Sequence, residues 1–202
     1  GNSFIFGRPA LTLMIERLPA TLELATSALI IALTFGLPLG IYAGLYPNSI
    51  RTRIIMGSSI LGISIPTFWL GLMLIIVFSV LLGWLPVSGR GDTAIFLGIE
   101  SSIFSLDGLR HLILPATSLA FFKLAMVIRL ARSGTVEIMS LDFIKFARAR
   151  GLNSIRIICA HLLPNILIPI ITVLAIEFGT LIAFATVTET IFAWPGLGNL
   201  LI

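Results

Sequence analysis

The chain has 202 residues, 57% of them hydrophobic and 11% charged, with a mean hydropathy of +1.10. Soluble domains carry about 25% charged residues, so this composition cannot cover a water-facing surface and a soluble protein is excluded. The net charge of +4 reflects basic loops of a membrane protein rather than a nucleic-acid surface, and the lone Cys159 excludes an internal disulfide or a cysteine metal cluster.

Residues 1–6 carry no basic region ahead of an apolar core, so no secretory signal opens the chain. There is no initiator Met, and residues 200–202 stop as a new apolar run begins. Both ends read as cut from a longer protein, and residues 1–202 read as one transmembrane domain.

A crossing helix needs about 20 apolar residues. The first qualifying span, residues 20–45, carries one charge, Glu23. Gly36, Gly40 and Gly44 recur every fourth residue on one face of it, a spacing that lets a neighbouring backbone approach closely. The following loop, residues 48–53, holds Arg51 and Arg53. The second span, residues 54–83, carries no charge. Residues 84–108 then set Arg90 against Asp92, Glu100 and Asp107. The third span, residues 109–131, contains Arg110, Lys123 and Arg129. Lys123 either lines a pathway or snorkels along its stem toward the cytoplasmic side, and the second is favoured. Pro38, Pro66 and Pro169 lie inside spans and should kink them, since each removes a ladder donor.

The loop at residues 132–156 holds Arg132, Lys145, Arg148, Arg150 and Arg156. Basic residues concentrate in cytoplasmic loops, which places loops 48–53 and 132–156 inside and residues 84–108 and both ends outside. Within the basic loop, Asp142 is expected to cap a helix start. Phe143, Phe146, Ala147 and Arg150 then share a face, while Lys145 and Arg148 fall elsewhere. Gly151 stops the helix, and Asn153 or Ser154 caps the next one. Such a short basic helix with two aromatics is either an interfacial helix on anionic lipid or a docking element for a protein partner.

The fourth span, residues 157–187, carries Glu177, with Thr172 and Thr180 on nearby turns. Charges inside a membrane are costly and often functional, so Glu177, Lys123, Thr172 and Thr180 are the candidates for a translocation path. His111 and His161 stand at span edges, where structural hydrogen bonding is expected rather than metal binding. Cys159, in an apolar run, reads as a small packing residue.

Several stretches resemble a known family. Lys145-Phe146-Ala147, then Gly151, then Leu163-Pro164 is similar to the EAA-type loop of permease subunits of ATP-driven binding-protein-dependent importers, with Lys145 where the general pattern has glutamate. Asp142-Phe143-Ile144-Lys145 followed by Ala147-Arg148-Ala149-Arg150-Gly151-Leu152 resembles the dipeptide, oligopeptide and nickel branch. So do Glu16-Arg17-Leu18-Pro19-Ala20-Thr21-Leu22-Glu23-Leu24, Ser64-Ile65-Pro66-Thr67-Phe68-Trp69-Leu70-Gly71, Gly83-Trp84-Leu85-Pro86-Val87-Ser88-Gly89, His111-Leu112-Ile113-Leu114-Pro115 and Thr188-Glu189-Thr190-Ile191-Phe192-Ala193-Trp194-Pro195-Gly196-Leu197-Gly198. The resemblance covers essentially the whole chain in order.

It implies an all-α, polytopic transmembrane bundle of the type I ABC importer permease fold, with a first and a last family span missing. It implies a bacterial inner-membrane location and a cytoplasmic loop helix at residues 142–151 that seats in a groove of a separate ATPase. Asp142, Phe143, Lys145, Phe146, Ala147, Arg148, Arg150 and Gly151 would carry that coupling. The chain holds no phosphate-loop sequence, so ATP and Mg would belong to two partner ATPase subunits. A second homologous permease, an extracytoplasmic solute-binding protein and membrane lipid complete the implied partners. The cargo would be a dipeptide, a longer peptide, glutathione or a nickel complex. The alternative is a secondary transporter or channel working without ATP, which would show inverted repeats or a series of intramembrane charges. An intramembrane enzyme would need paired catalytic groups, and none has the spacing.

Overall fold

In lipid every backbone N–H and C=O must find a partner inside the protein, and a helix supplies one locally. The computed structural model, which describes residues 9–96 and 99–201, is helical nearly throughout. The readings made on residues 1–6 and on Ile202 lie outside the described residues. In chain order the elements are α1 (Ala10–Leu45), α2 (Ile50–Ser64), α3 (Thr67–Leu74) widening into a π-helical Ile75–Leu81, strands β1 (Ala94–Phe96) and β2 (Ile99–Ser101), a 3-10 turn Ser102–Phe104, and α4 (Leu106–Ser140). There follow α5 (Asp142–Ala149), α6 (Ser154–Arg156) with a π-helical Ile157–Leu162, α7 (Leu163–Ile191) and α8 (Gly198–Leu201). Among the described residues, three helical stretches are long and apolar enough to cross a membrane, Leu11–Leu45, Leu106–Ser140 and Ser154–Ile191, or four if Ile50–Ser64 and Thr67–Leu81 form one broken span.

The elements differ from the expected spans in instructive ways. Helix α1 starts ten residues before position 20, and α4 runs nine residues past 131 into what was expected to be loop. Helix also continues through a hydrophilic stretch because nothing there breaks it: 132–140 holds one glycine and no proline. At Pro66 the bend is a full break: Ile50–Ser64 and Thr67–Leu81 meet there at 107°. Pro66 is the N-cap of α3, extended at φ −61°, ψ 136°, and α2 has already ended at Ser64, as the clash of a proline ring with the preceding residue requires. Pro169 does sit inside α7. Residues 84–108 contain a small antiparallel hairpin pairing Ala94 with Ser101. Cys159 is exposed rather than packed.

The chain divides into two compact units, residues 1–30, 65–120 and 179–202 in the first and residues 31–64 and 121–178 in the second. In the second unit the glycine ladder of α1 lies against α4. A Cβ at Gly36 would meet Val127 at 2.7 Å, one at Gly40 would meet the Ala131 Cβ at 2.5 Å and the Ile128 carbonyl at 2.6 Å, and one at Gly44 would meet Thr135 at 2.5 Å. Val127, Ala131 and Thr135 repeat the same four-residue step, so two helix faces mesh backbone to backbone where lipid gives no hydrophobic push. The turn into α2 is closed by Ser49, whose hydroxyl accepts from the Thr52 amide at 3.1 Å, and by Thr52 Oγ1, which donates to the Tyr46 carbonyl at 2.7 Å.

In the first unit, Trp194, Phe192, Leu24 and Leu181 are fully buried. Gly71 of α3 admits the Phe192 ring and the Ser118 hydroxyl to within 3.2–3.3 Å of where a Cβ would be, and the Ser118 hydroxyl donates to the Thr67 carbonyl at 3.2 Å.

Gly40→Ala must push α1 off α4 and is expected to cost about 1–3 kcal/mol. Gly57→Ala in α2, where a Cβ meets nothing within 4 Å, should be neutral or gain up to about 1 kcal/mol. Unfolding of the two variants in detergent micelles checks this; equal losses at both positions would refute the meshed seam.

Candidate functional site

Helix α5 is short, so its ends decide whether it is rigid. Leu141 is the N-cap, with no side-chain cap hydrogen bond. Asp142 is therefore not the cap the sequence pointed to: it is the first helical residue, and its carboxylate instead takes the Lys145 ammonium at 2.8 Å. Lys145 outcompetes the free amides because it reaches back one turn on the same face. An acid in this first turn still complements the helix dipole. At the other end Gly151 has φ +76°. Its amide donates to the Arg148 carbonyl at 2.9 Å and the Leu152 amide donates to the Ala147 carbonyl at 3.2 Å, the paired bonds of a Schellman motif. Asn153 caps α6, its side chain accepting from the Ile155 amide at 3.4 Å.

The underside of α5 is Ile144 and Ala147, buried with Ile157 and flanked by Ile138, Met139 and Leu152. Sequence reasoning grouped Ala147 with the two phenylalanines and passed over Ile144, yet Ile144 is fully buried. Its spacing of three to Ala147 was the available signal. Phe143 and Phe146 remain 44% and 64% exposed. Phe143 lies edge-on to His161 at 6.4 Å, and the Arg150 guanidinium covers one face of Phe146 at 5.5 Å. The result is a helix bolted to the ends of α4 and α6 that presents two aromatic rings and the cations Arg148 and Arg150 outward.

Of the four path candidates the structure unites two. Lys123 of α4 does not snorkel. Its side chain is 5% exposed and its ammonium sits 2.6 Å from the Glu177 carboxylate of α7, which is 33% exposed. The attraction between the two ions offsets part of the cost of taking each out of water. Thr180 follows Glu177 by three residues on the same side of α7. Thr172 turns away, its hydroxyl donating to the Ile168 carbonyl of its own helix at 2.8 Å. His111 Nδ1 lies 2.9 Å from the Asp107 carbonyl, and the His161 carbonyl accepts from Asn165.

Two buried carboxylates of the first unit were not recognised as sites in the sequence. Glu23 accepts from the Arg90 guanidinium, the Ser102 hydroxyl and, at 2.8 Å, the Ser102 amide. Glu189, fully buried, accepts from Thr21 Oγ1 at 2.6 Å and from the amides of Gly198 at 2.6 Å and Asn199 at 3.3 Å. Thr21 in turn accepts from the Leu197 amide at 2.8 Å. Gly196 and Gly198 leave no room for a Cβ beside Glu189 and Thr186 respectively. The signal was an acid at the end of an apolar run, followed within ten residues by two glycines. Between them Ala193 takes φ +47° and closes α7 with the amide bonds Ala193 to Thr190 and Trp194 to Glu189. This is again a Schellman pattern, with alanine where glycine is usual.

A family model described as binding-protein-dependent transport system inner membrane component matches residues 36–202. The chain is 45% identical over 196 residues to the di/tripeptide transport system permease protein DppB of Pseudomonas aeruginosa, a match covering 91% of this chain and 58% of that protein. It is 40% identical over 203 residues to the dipeptide transport system permease protein DppB of Escherichia coli, covering 93% and 60%. Against the putrescine export system permease protein SapB of Escherichia coli it is 38% identical, covering 100% and 68%. The chain thus spans 58% and 60% of the length of the first two relatives. Among solved structures, inward facing conformations of the MetNI methionine ABC transporter match with TM-score 0.70 over 95% of this chain and 80% of that one. At 20% identity that likeness concerns the fold.

Glu177→Gln leaves the Lys123 cation without its counter-ion and is expected to destabilise by about 1–3 kcal/mol, less than a fully enclosed pair because Glu177 is partly exposed. The double variant Lys123→Met/Glu177→Leu should recover most of the loss in a micelle unfolding experiment. Ala193→Gly relieves a left-handed alanine and should stabilise by about 0.5–1 kcal/mol in the same assay; a loss there would contradict the strain.

Proposed function

The chain belongs to the family of binding-protein-dependent transport system inner membrane components, and we propose that it forms part of the translocation path of an ATP-driven importer for peptides or a related small solute. The observation that carries the reading is α5. A helix closed at its C-terminal end by Gly151, with Ile144 and Ala147 sunk between α4 and the π-helical turn, can transmit a push, whereas a slack loop cannot. Its outward Phe143 and Phe146 are large apolar groups left for a partner to cover. The nucleotide chemistry, with ATP and Mg, falls to two separate ATPase subunits that receive α5 in a groove. A second permease and an extracytoplasmic solute-binding protein complete the assembly. Uptake rather than export follows from dependence on a binding protein that captures cargo outside.

Orientation rests on charge. The loops carrying Arg51, Arg53, Lys145, Arg148, Arg150 and Arg156 face the cytoplasm, and the hairpin region with Asp92, Glu100 and Asp107 faces out. Lys123 and Glu177 polarise the path between them. Peptide cargo is supported by the names of two relatives.

Phe146→Ala combined with Arg150→Ala is expected to weaken ATPase association at least roughly tenfold and to uncouple hydrolysis from transport, with membrane insertion intact. Reconstituted transport, hydrolysis and co-purification measure the three quantities. Unchanged transport together with unchanged association would sink the coupling role.

A further inference from the structure

Two concavities of the second unit share part of their walls. One, of ≈ 190 Å³, lies beside α5 and is lined by Tyr46, Met139, Arg148 and Ser154. The other, of ≈ 500 Å³, follows α1 from Leu33 through Leu37 and Ile41 and is closed by Leu163. Leu45 and Ile158 belong to the walls of both, so a cationic, hydroxyl-bearing hollow adjoins an apolar trough. From Leu33 to Leu45 is about 18 Å along a helix, slightly more than the ~15 Å of hydrocarbon in one leaflet. A helix about 10 Å across and of that length would displace roughly 1,400 Å³, far more than the trough encloses. A single acyl chain is slender enough. The polar end is flanked by the most basic segments of the chain, with Arg51, Arg53, Arg150 and Arg156 close in sequence to its lining residues.

We propose that these adjoining hollows form a binding site for an anionic phospholipid, its phosphate on Arg148 and the Ser154 hydroxyl and one acyl chain along Leu33–Leu45 of α1. The shape sets the depth of the lipid, and the charge of Arg148 selects the headgroup. Because Arg148 is carried by α5, the site ties that helix to the composition of the adjacent leaflet. This rests on the reading that α5 lies at the inner membrane surface.

The test uses the full-length assembly in phosphatidylcholine vesicles containing a minor share of phosphatidylglycerol with a diazirine at mid-chain, or the matched diazirine phosphatidylcholine. Labelled residues are mapped by mass spectrometry. The glycerol lipid should label residues 33–45 and 158–163 about fivefold more than the choline lipid, as one basic contact at the surface provides. Arg148→Gln should erase that preference and Arg148→Lys should keep it; Ile41→Trp, which fills the trough, should reduce labelling by both lipids. Equal labelling by the two lipids in the unaltered protein overturns the proposal, as does absence of label from either, which would mean that another protein segment occupies the trough. A preference that survives in Arg148→Gln also overturns it. ATPase co-purification from the same vesicles is read separately. No co-purification with the unaltered protein, its lipid preference being intact, would count against the coupling reading and leave the lipid site standing.

Discussion

Helices in lipid gain nothing by hiding apolar side chains from one another, so close backbone approach must supply the cohesion. In the second unit that approach is the glycine ladder Gly36, Gly40, Gly44 on α1 against Val127, Ala131 and Thr135 on α4. The rest of that unit is arranged around it. Helix α4 carries Lys123 to Glu177 and offers Ile138 and Met139 as the seat for α5. Another face of α1, from Leu33 to Leu45, lines the trough. Loss of the seam would therefore disturb both the intramembrane pair and the loop helix, although neither includes a glycine of the ladder.

The chain uses buried charge in two different manners. Glu23 and Glu189 are each enclosed by several donors, mostly backbone amides and hydroxyls, and they organise irregular chain: the hairpin end in one case, the segment after α7 in the other. Such carboxylates are structural staples, since hydrogen bonds replace the lost water. Glu177 instead pairs across helices with the Lys123 cation and is one-third exposed (33%). It lies inside a span rather than beside irregular chain, and the proposed path draws on it for that reason.

The sequence disclosed what depends on composition and local spacing. The glycine step and the Gly151 stop are both short-range patterns, and each sits in the structure where the pattern put it. What escaped depends on partners distant in the chain. Lys123 looked like a snorkelling residue because Glu177 is 54 positions away. The partner of Glu23, the one charge of the first span, was out of sight because Arg90 is 67 positions away. Asp142 was misread as a cap because capping and pairing with Lys145 draw on the same carboxylate, and spacing cannot say which wins. The C-terminal end of α7 was invisible because Ala193 does there what glycine ordinarily does.

The π-helical stretch Ile157–Leu162 fits an additional residue into its turn without breaking the helix. Everything downstream on α7 is thereby rotated by about 100° relative to an unbroken α-helix counted from Asn153. Glu177 meets Lys123 with that offset included. The phase of the intramembrane pair is consequently set about five turns away, beside the docked loop helix, where shortening the chain by one amino acid would swing the carboxylate off its cation.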